Sequence, residues 1–139
     1  MAHICMVLLA DIHIDGRVRK EIRTLVAGGH DVDLVVADYL KNGSGGEDLG
    51  VKIHYVSTNL WSLPALNFVE PLLYNRKVAA MIEVIRPTHI HCHDLTALLA
   101  GIWAKDKIGA TLVFDVHELM PERMGGIKEK VWGRIEKAV

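Results

Sequence analysis

Cysteine is scarce. The 139 residues hold two, Cys5 and Cys92, each inside an apolar strand-like run. That argues against a disulfide framework and for buried free thiols in a reducing compartment. Long hydrophobic runs are missing too: no stretch reaches the roughly 18 apolar residues that a spanning helix needs. Met1-Ala2-His3 leads straight into an apolar pattern, without the charged region and small-residue cleavage site of a secretory leader. Neither sign of charge is in excess, since 16 Lys and Arg against 17 Asp and Glu leave a formal net charge of −1. No basic field exists to attract nucleic acid, and no nucleic-acid partner is expected. The dinucleotide fingerprint GxGxxG, the phosphate loop GxxxxGK[ST], paired CxxC motifs and HExxH are all absent. Internal repeats and low-complexity tracts are absent as well.

What is present reads as one soluble domain over residues 1–139, half apolar and a quarter charged. Residues 3–9 form a short apolar strand and 11–16 a polar turn. From Asp15 the period changes: Val18, Ile22, Leu25 and Val26 fall at helical spacing. Asp15 is placed to cap that helix and Gly28-Gly29 to stop it. Residues 32–37 form a second strand, 41–50 a polar loop and 51–57 a third strand. After an irregular stretch at 58–65, a helix is expected over 66–85, with Pro71 either kinking it or marking its start, and Arg86-Pro87 ending it. A strand over 88–93, a helix over 95–105 and a strand over 110–116 follow. A last helix starts near Gly126 and is still running at Val139, with Val131, Trp132, Ile135 and Val139 along one side.

Short strands that are apolar on both faces, alternating with helices, predict an α/β fold: a Rossmann-like, three-layer α/β/α domain with a parallel sheet. Right-handed crossovers and a switch point beside the first strand predict the order 3-2-1-4-5. Ligands of such sheets bind at the carboxyl ends of the strands. Strands one, four and five would be neighbours, and all three end in polar residues, so a substrate site is expected on that rim. The first loop supplies Asp11, Gly16 and Arg17. Gly16 permits close backbone approach at a helix start, and Arg17 is the helix cation nearest the rim; Arg19, Lys20 and Arg23 read mostly as a solvated face. The fourth strand ends in His93-Asp94, with Asp94 expected to cap the helix that follows and His93 to face the rim. The fifth ends in Asp115-Val116-His117-Glu118, where Asp115 and His117 share a face. An imidazole there can donate to a ligand hydroxyl or phosphate.

His89, His91 and His93 alternate along the fourth strand and, with Asp94, invite a zinc reading. Same-face residues two apart on a strand stand about 7 Å apart, which is wide for wrapping one ion. No metal and no cofactor are therefore assigned, and His89 reads as a partly buried strand histidine. The stretch 60–74 carries Trp61, Leu63, Leu66, Phe68, Leu72, Leu73 and Tyr74. It reads either as an interfacial, lipid-facing surface or, the reading preferred, as a core-packed helix with a loop.

Three passages resemble the N-terminal domain of retaining GT-B glycosyltransferases of the family four type, over about residues 3–125. Asp15-Gly16-Arg17-Val18-Arg19-Lys20-Glu21 with Gly29-His30-Asp31-Val32 is similar to that family's D-x-R-V-x-x-E and G-H-x-V opening. Arg86-Pro87-Thr88-His89-Ile90-His91-Cys92-His93-Asp94 is similar to P-D-V-I-H-x-H-D. Asp115-Val116-His117-Glu118 with Pro121 is similar to D-x-H-E-x-x-P. The resemblance implies the acceptor-binding half of a cytoplasmic enzyme, peripheral at the inner membrane face. Such an enzyme moves a sugar from a nucleotide-sugar donor to a saccharide or lipid-linked acceptor with retention. It implies catalytic positions at His93 and His117, near the donor sugar and phosphate. Their place on the rim makes Asp11, Gly16, Arg17, Asp94, Asp115 and Glu118 the expected substrate contacts, and the resemblance sets the first loop against the diphosphate. The family's usual glycine pair in that loop is here Gly16 alone. The second, donor-holding domain with its E-x7-E segment lies outside this chain, so the isolated chain is expected to be inactive.

Two alternatives belong to other classes. Asp11-Ile12-His13-Ile14-Asp15-Gly16 fits the D-x-H-x-x-G pattern of cobalamin-binding modules, with His13 as the cobalt ligand. Such a module also needs S-x-L after the fourth strand and G-G after the fifth, where this chain has His93-Asp94-Leu95 and His117-Glu118-Leu119. A non-catalytic interaction subunit that docks through the last amphipathic helix is the other.

Overall fold

The computed structural model describes residues 1–9, 15–38, 47–57 and 70–115. Five strands lie in one sheet: β1 (His3–Leu8), β2 (Asp31–Ala37), β3 (Lys52–Val56), β4 (His89–His93) and β5 (Thr111–Asp115). Every pairing is parallel and the order is β3-β2-β1-β4-β5, as predicted. Helix α1 (Gly16–Ala27) covers one face, while α2 (Glu70–Ile85) and α3 (Asp94–Ile108) cover the other. A short 3-10 turn, Glu47–Leu49, interrupts the segment read as loop. The calls on 10–14, 39–46, 58–69 and 116–139, including the last helix and the start of the helix from residue 66, lie outside the described residues.

Burial follows the strand period of two. Ile4, Met6 and Leu8 of β1 pack with Val32, Leu34 and Val36 of β2 against Val18 and Ile22 of α1. Cys5, Val7, Val35, Ile90 and Cys92 pack on the opposite face against Val78, Ile82, Ala97 and Ala100. Met6, Val7 and Leu8 are almost wholly out of water, and burying each such side chain contributes roughly 1.5–3 kcal/mol of transfer free energy. Both thiols are buried and unpaired with each other. Burial pushes Cys92 up to about 12 and raises Cys5 too, so neither offers a thiolate near neutral pH.

The helix ends obey local chemistry. Asp15 Oδ1 accepts from the backbone N–H groups of Arg17 and Val18, at 3.1 Å each, which makes it the expected N-cap. At the other end, Gly29 N–H donates to Val26 O at 3.0 Å and His30 N–H to Leu25 O at 3.1 Å. Gly29 has φ of 78°, the left-handed conformation that this double bond requires and that glycine adopts freely. His30 Nδ1 then accepts from Ala2 N–H at 3.2 Å, tying the helix exit to the start of β1. Helix α2 ends at Ile85, with Arg86 in the left-handed region at φ 53°.

Two contacts hold α3 in place. Asn75 of α2 is buried; its Nδ2 donates to Pro71 O at 2.8 Å and its Oδ1 accepts from Ala100 N–H at 3.1 Å. Gly101 lies so close to the sheet that a Cβ there would overlap Cys92 Sγ and stand 2.9 Å from Leu112 Cδ1. Gly101→Ala should therefore lower stability by about 1–3 kcal/mol, although alanine is the better helix former by about 1 kcal/mol. Urea denaturation measures this, and a variant as stable as the parent would show that α3 can shift to make room.

Candidate functional site

Register fixes what meets at the carboxyl edge of the sheet. Leu8 pairs with His93, and His93 pairs with Asp115. Met6, Leu8, His91 and His93 share the α1 face, so both histidines lie beneath that helix. His93 Nε2 is 3.8 Å from Glu21 Oε2, and His93 Nδ1 is 3.8 Å from Asp115 Oδ2. The His91 and His93 rings are 4.2 Å apart, centre to centre.

Three expectations change here. His93 was expected to face the rim; its side chain is 0% exposed, because it lies beneath α1 at the tip of β4, with Glu21 and Asp115 each 3.8 Å away. Asp94 was expected to cap α3 from outside. Instead His93 occupies the N-cap position without a side-chain capping bond, and Asp94 is the first helical residue, at φ 65°. A non-glycine residue in that region is strained, and strain of this kind gathers at functional sites. Finally, the 7 Å spacing used against a shared ligand describes backbone positions. The imidazoles lean together, so the rings come far closer than their Cα atoms.

Gly16 opens α1, and among the described residues no atom lies within 4 Å of where its side chain would stand. Arg17 follows, its side chain 60% exposed and its Nε 3.9 Å from Asp15 Oδ1. Asp11, His13, His117 and Glu118 lie outside the described residues. His89 is half-buried, with Nδ1 2.9 Å from Thr88 Oγ1, in keeping with a structural strand histidine. Arg19 and Arg23 are less free than their sequence pattern indicated: both donate to Asp48 of the 3-10 turn, at 2.6 and 2.9 Å. Glu21 and His91 were not among the expected substrate residues, yet both stand in the cluster. The sequence did hold a signal for Glu21. It lies three residues after Val18 and four before Leu25, on the flank of the apolar stripe that faces the sheet.

The amino end of the sheet holds a second polar group that sequence reading missed. Asp33, buried on β2, accepts from His3 Nε2 and His54 Nε2 at 2.6 Å each. An aspartate inside an otherwise apolar strand was its one warning in the sequence. A cavity of about 500 Å³ opens beside it, lined in part by His30, Asp31 and Val84.

With this geometry in place, comparison with known proteins is decisive for the family. Residues 15–139 match the glycosyl transferase 4-like domain family. The chain belongs to it. Three solved glycosyltransferases share the fold. The kitacinnamycin glycotransferase is 20% identical, with a TM-score of 0.64 and 98% of this chain covered. The calicheamicin glycosyltransferase is 9% identical, with a TM-score of 0.63 and 96% covered. A lipopolysaccharide outer core galactosyltransferase is 13% identical, with a TM-score of 0.63 and 94% covered. The chain spans 35%, 37% and 37% of their respective lengths. No curated protein sequence matches it. None of these matches is a cobalamin-binding module. Among the described residues, no helix is long and apolar enough to cross a membrane.

The Asp33 cluster yields a pH prediction. Burial pushes the Asp33 carboxyl up, but hydrogen bonds from His3 and His54 and their charges outweigh it and hold it below the ordinary carboxylate value. A lowered folded-state value stabilises the fold above the unfolded value, near 4, and that contribution disappears as pH falls through the folded value. Asp33→Asn should cost about 1–3 kcal/mol at pH 7, and the gap from the parent should narrow below about pH 4. Denaturation midpoints across that range read it; a gap independent of pH would remove the ionised carboxylate from the account.

Proposed function

We propose that this chain is the acceptor-side, N-terminal half of a retaining glycosyltransferase. In this reading a second domain holds the nucleotide-sugar donor, and the carboxyl edge of the sheet faces the reacting sugar. The observation that carries the reading is the pairing of His93 with Asp115 at adjacent strand tips, next to the strained Asp94, in a member of the glycosyl transferase 4-like domain family.

The chemistry asked of these groups is electrostatic. Sugar transfer from a nucleotide sugar expels a nucleoside diphosphate, and the barrier falls when preorganised donors meet the developing negative charge. His117, together with the first loop from Asp11 through Gly16 to Arg17, supplies such donors in this proposal. The buried His93 lies between Glu21 and Asp115, 3.8 Å from each, and Asp94 and Glu118 bind sugar hydroxyls. The acceptor is a saccharide or a lipid-linked saccharide. Leu72 and Leu73, exposed on α2 at 45% and 39%, belong to the surface through which the enzyme would touch the cytoplasmic face of a membrane.

The test uses the polypeptide that carries both domains and follows release of nucleoside diphosphate from a panel of nucleotide sugars. His117→Ala should cut turnover by about 100-fold or more while leaving the thermal midpoint unchanged. Parent-like turnover in that variant would overturn the role given to this edge.

A further inference from the structure

We propose that Glu21, His91, His93 and Asp115 form a binding site for one zinc-class divalent ion. The four residues come from three elements, α1, β4 and β5. Each offers one ligand atom, and these atoms all lie within 4.8 Å of one another. Two imidazoles and two carboxylates make a nitrogen–oxygen set suited to zinc and its neighbours in the first transition row rather than to magnesium or calcium.

The separations fit an ion better than they fit direct contact. The two 3.8 Å distances from His93 to Glu21 and Asp115 exceed hydrogen-bond range. Ligands at about 2.0–2.1 Å around a tetrahedral zinc stand roughly 3.4 Å from each other, so side-chain shifts of about an ångström would close the set. Charge points the same way. Glu21 Oε2 is buried and accepts no hydrogen bond among the described residues, and Asp115 brings a second carboxylate to the same ring. Two carboxylates this close repel each other, and one divalent ion between them would offset that repulsion. Protonation of the histidines is the competing source of positive charge, and the test separates the two. A cavity of about 330 Å³, lined by Lys20, Glu21, Thr24, Leu25 and His91, reaches the cluster from α1 and gives an ion a route in.

Four protein ligands leave no open position, which is the arrangement of a structural ion. It would clamp α1 to the tips of β4 and β5, and it would engage His93 and Asp115. The inference does not depend on sugar transfer, because its readout is metal binding alone.

The chain is stripped with a chelator and titrated with Zn²⁺ by calorimetry and with Co²⁺ by visible absorption. One equivalent is expected, with the intense d–d bands of tetrahedral Co²⁺ and a higher thermal midpoint. His91→Ala and Glu21→Gln should each weaken binding at least about 10-fold, while His54→Ala at the far end of the sheet should not. Should either ligand variant misfold, imidazole nitrogen shifts in the unaltered chain still decide: Zn²⁺ must move those of His91 and His93 and leave those of His54. No binding, full affinity in either ligand variant, loss in His54→Ala, or unmoved His91 and His93 resonances would overturn the site.

Discussion

The parallel pairing of β4 with β1 on one side and β5 on the other governs this molecule. Parallel strands start and stop together, so a single register decision delivers Leu8, His93 and Asp115 to one edge. The same decision sends His91 and His93 beneath α1 and gives Ile90 and Cys92 to the opposite core. A slip of one residue would exchange these sets, placing two imidazoles among the aliphatic side chains of α2 and α3. The hydrophobic demand of the two faces thus positions the polar cluster, although no member of that cluster is hydrophobic.

The two ends of the sheet carry opposite kinds of polar chemistry. At the amino end, Asp33 accepts two short bonds, from His3 and His54. At the carboxyl end, the contacts around His93 are longer and two carboxylates share one surrounding. The second of these clusters lies where open α/β sheets bind ligands, past the carboxyl ends of their strands. Membership of the glycosyl transferase 4-like domain family adds a reaction class to that geometry.

Features set by near neighbours were legible in the sequence. Asp15 caps α1 because a carboxylate two and three residues ahead of free N–H groups can hardly do otherwise. Gly29 ends it because the exit needs a positive φ, and right-handed crossovers with a switch point beside the first strand were enough for the strand order. What escaped depends on distant partners. Asp33 showed only as a charge within an apolar strand, since its histidines lie 30 and 21 residues away. The spacing of His91 and His93 was judged from backbone geometry, whereas ring positions depend on what α1 leaves free. His93 looked exposed because sequence shows a strand tip but not the helix lying across it. The capping role given to Asp94 failed for a related reason: β4 runs into α3 with no linker, leaving no residue to stand outside the helix.

The close approach of Gly101 to Cys92 and Leu112 has a mechanical meaning. With no side chain between them, α3 seats its backbone directly on β4 and β5 at this point. On the other side of the sheet, the strand tips His91 and His93 lie beneath α1. Glu21 is thus the member of the cluster carried by the opposite layer, while His91, His93 and Asp115 belong to the sheet on which α3 is seated.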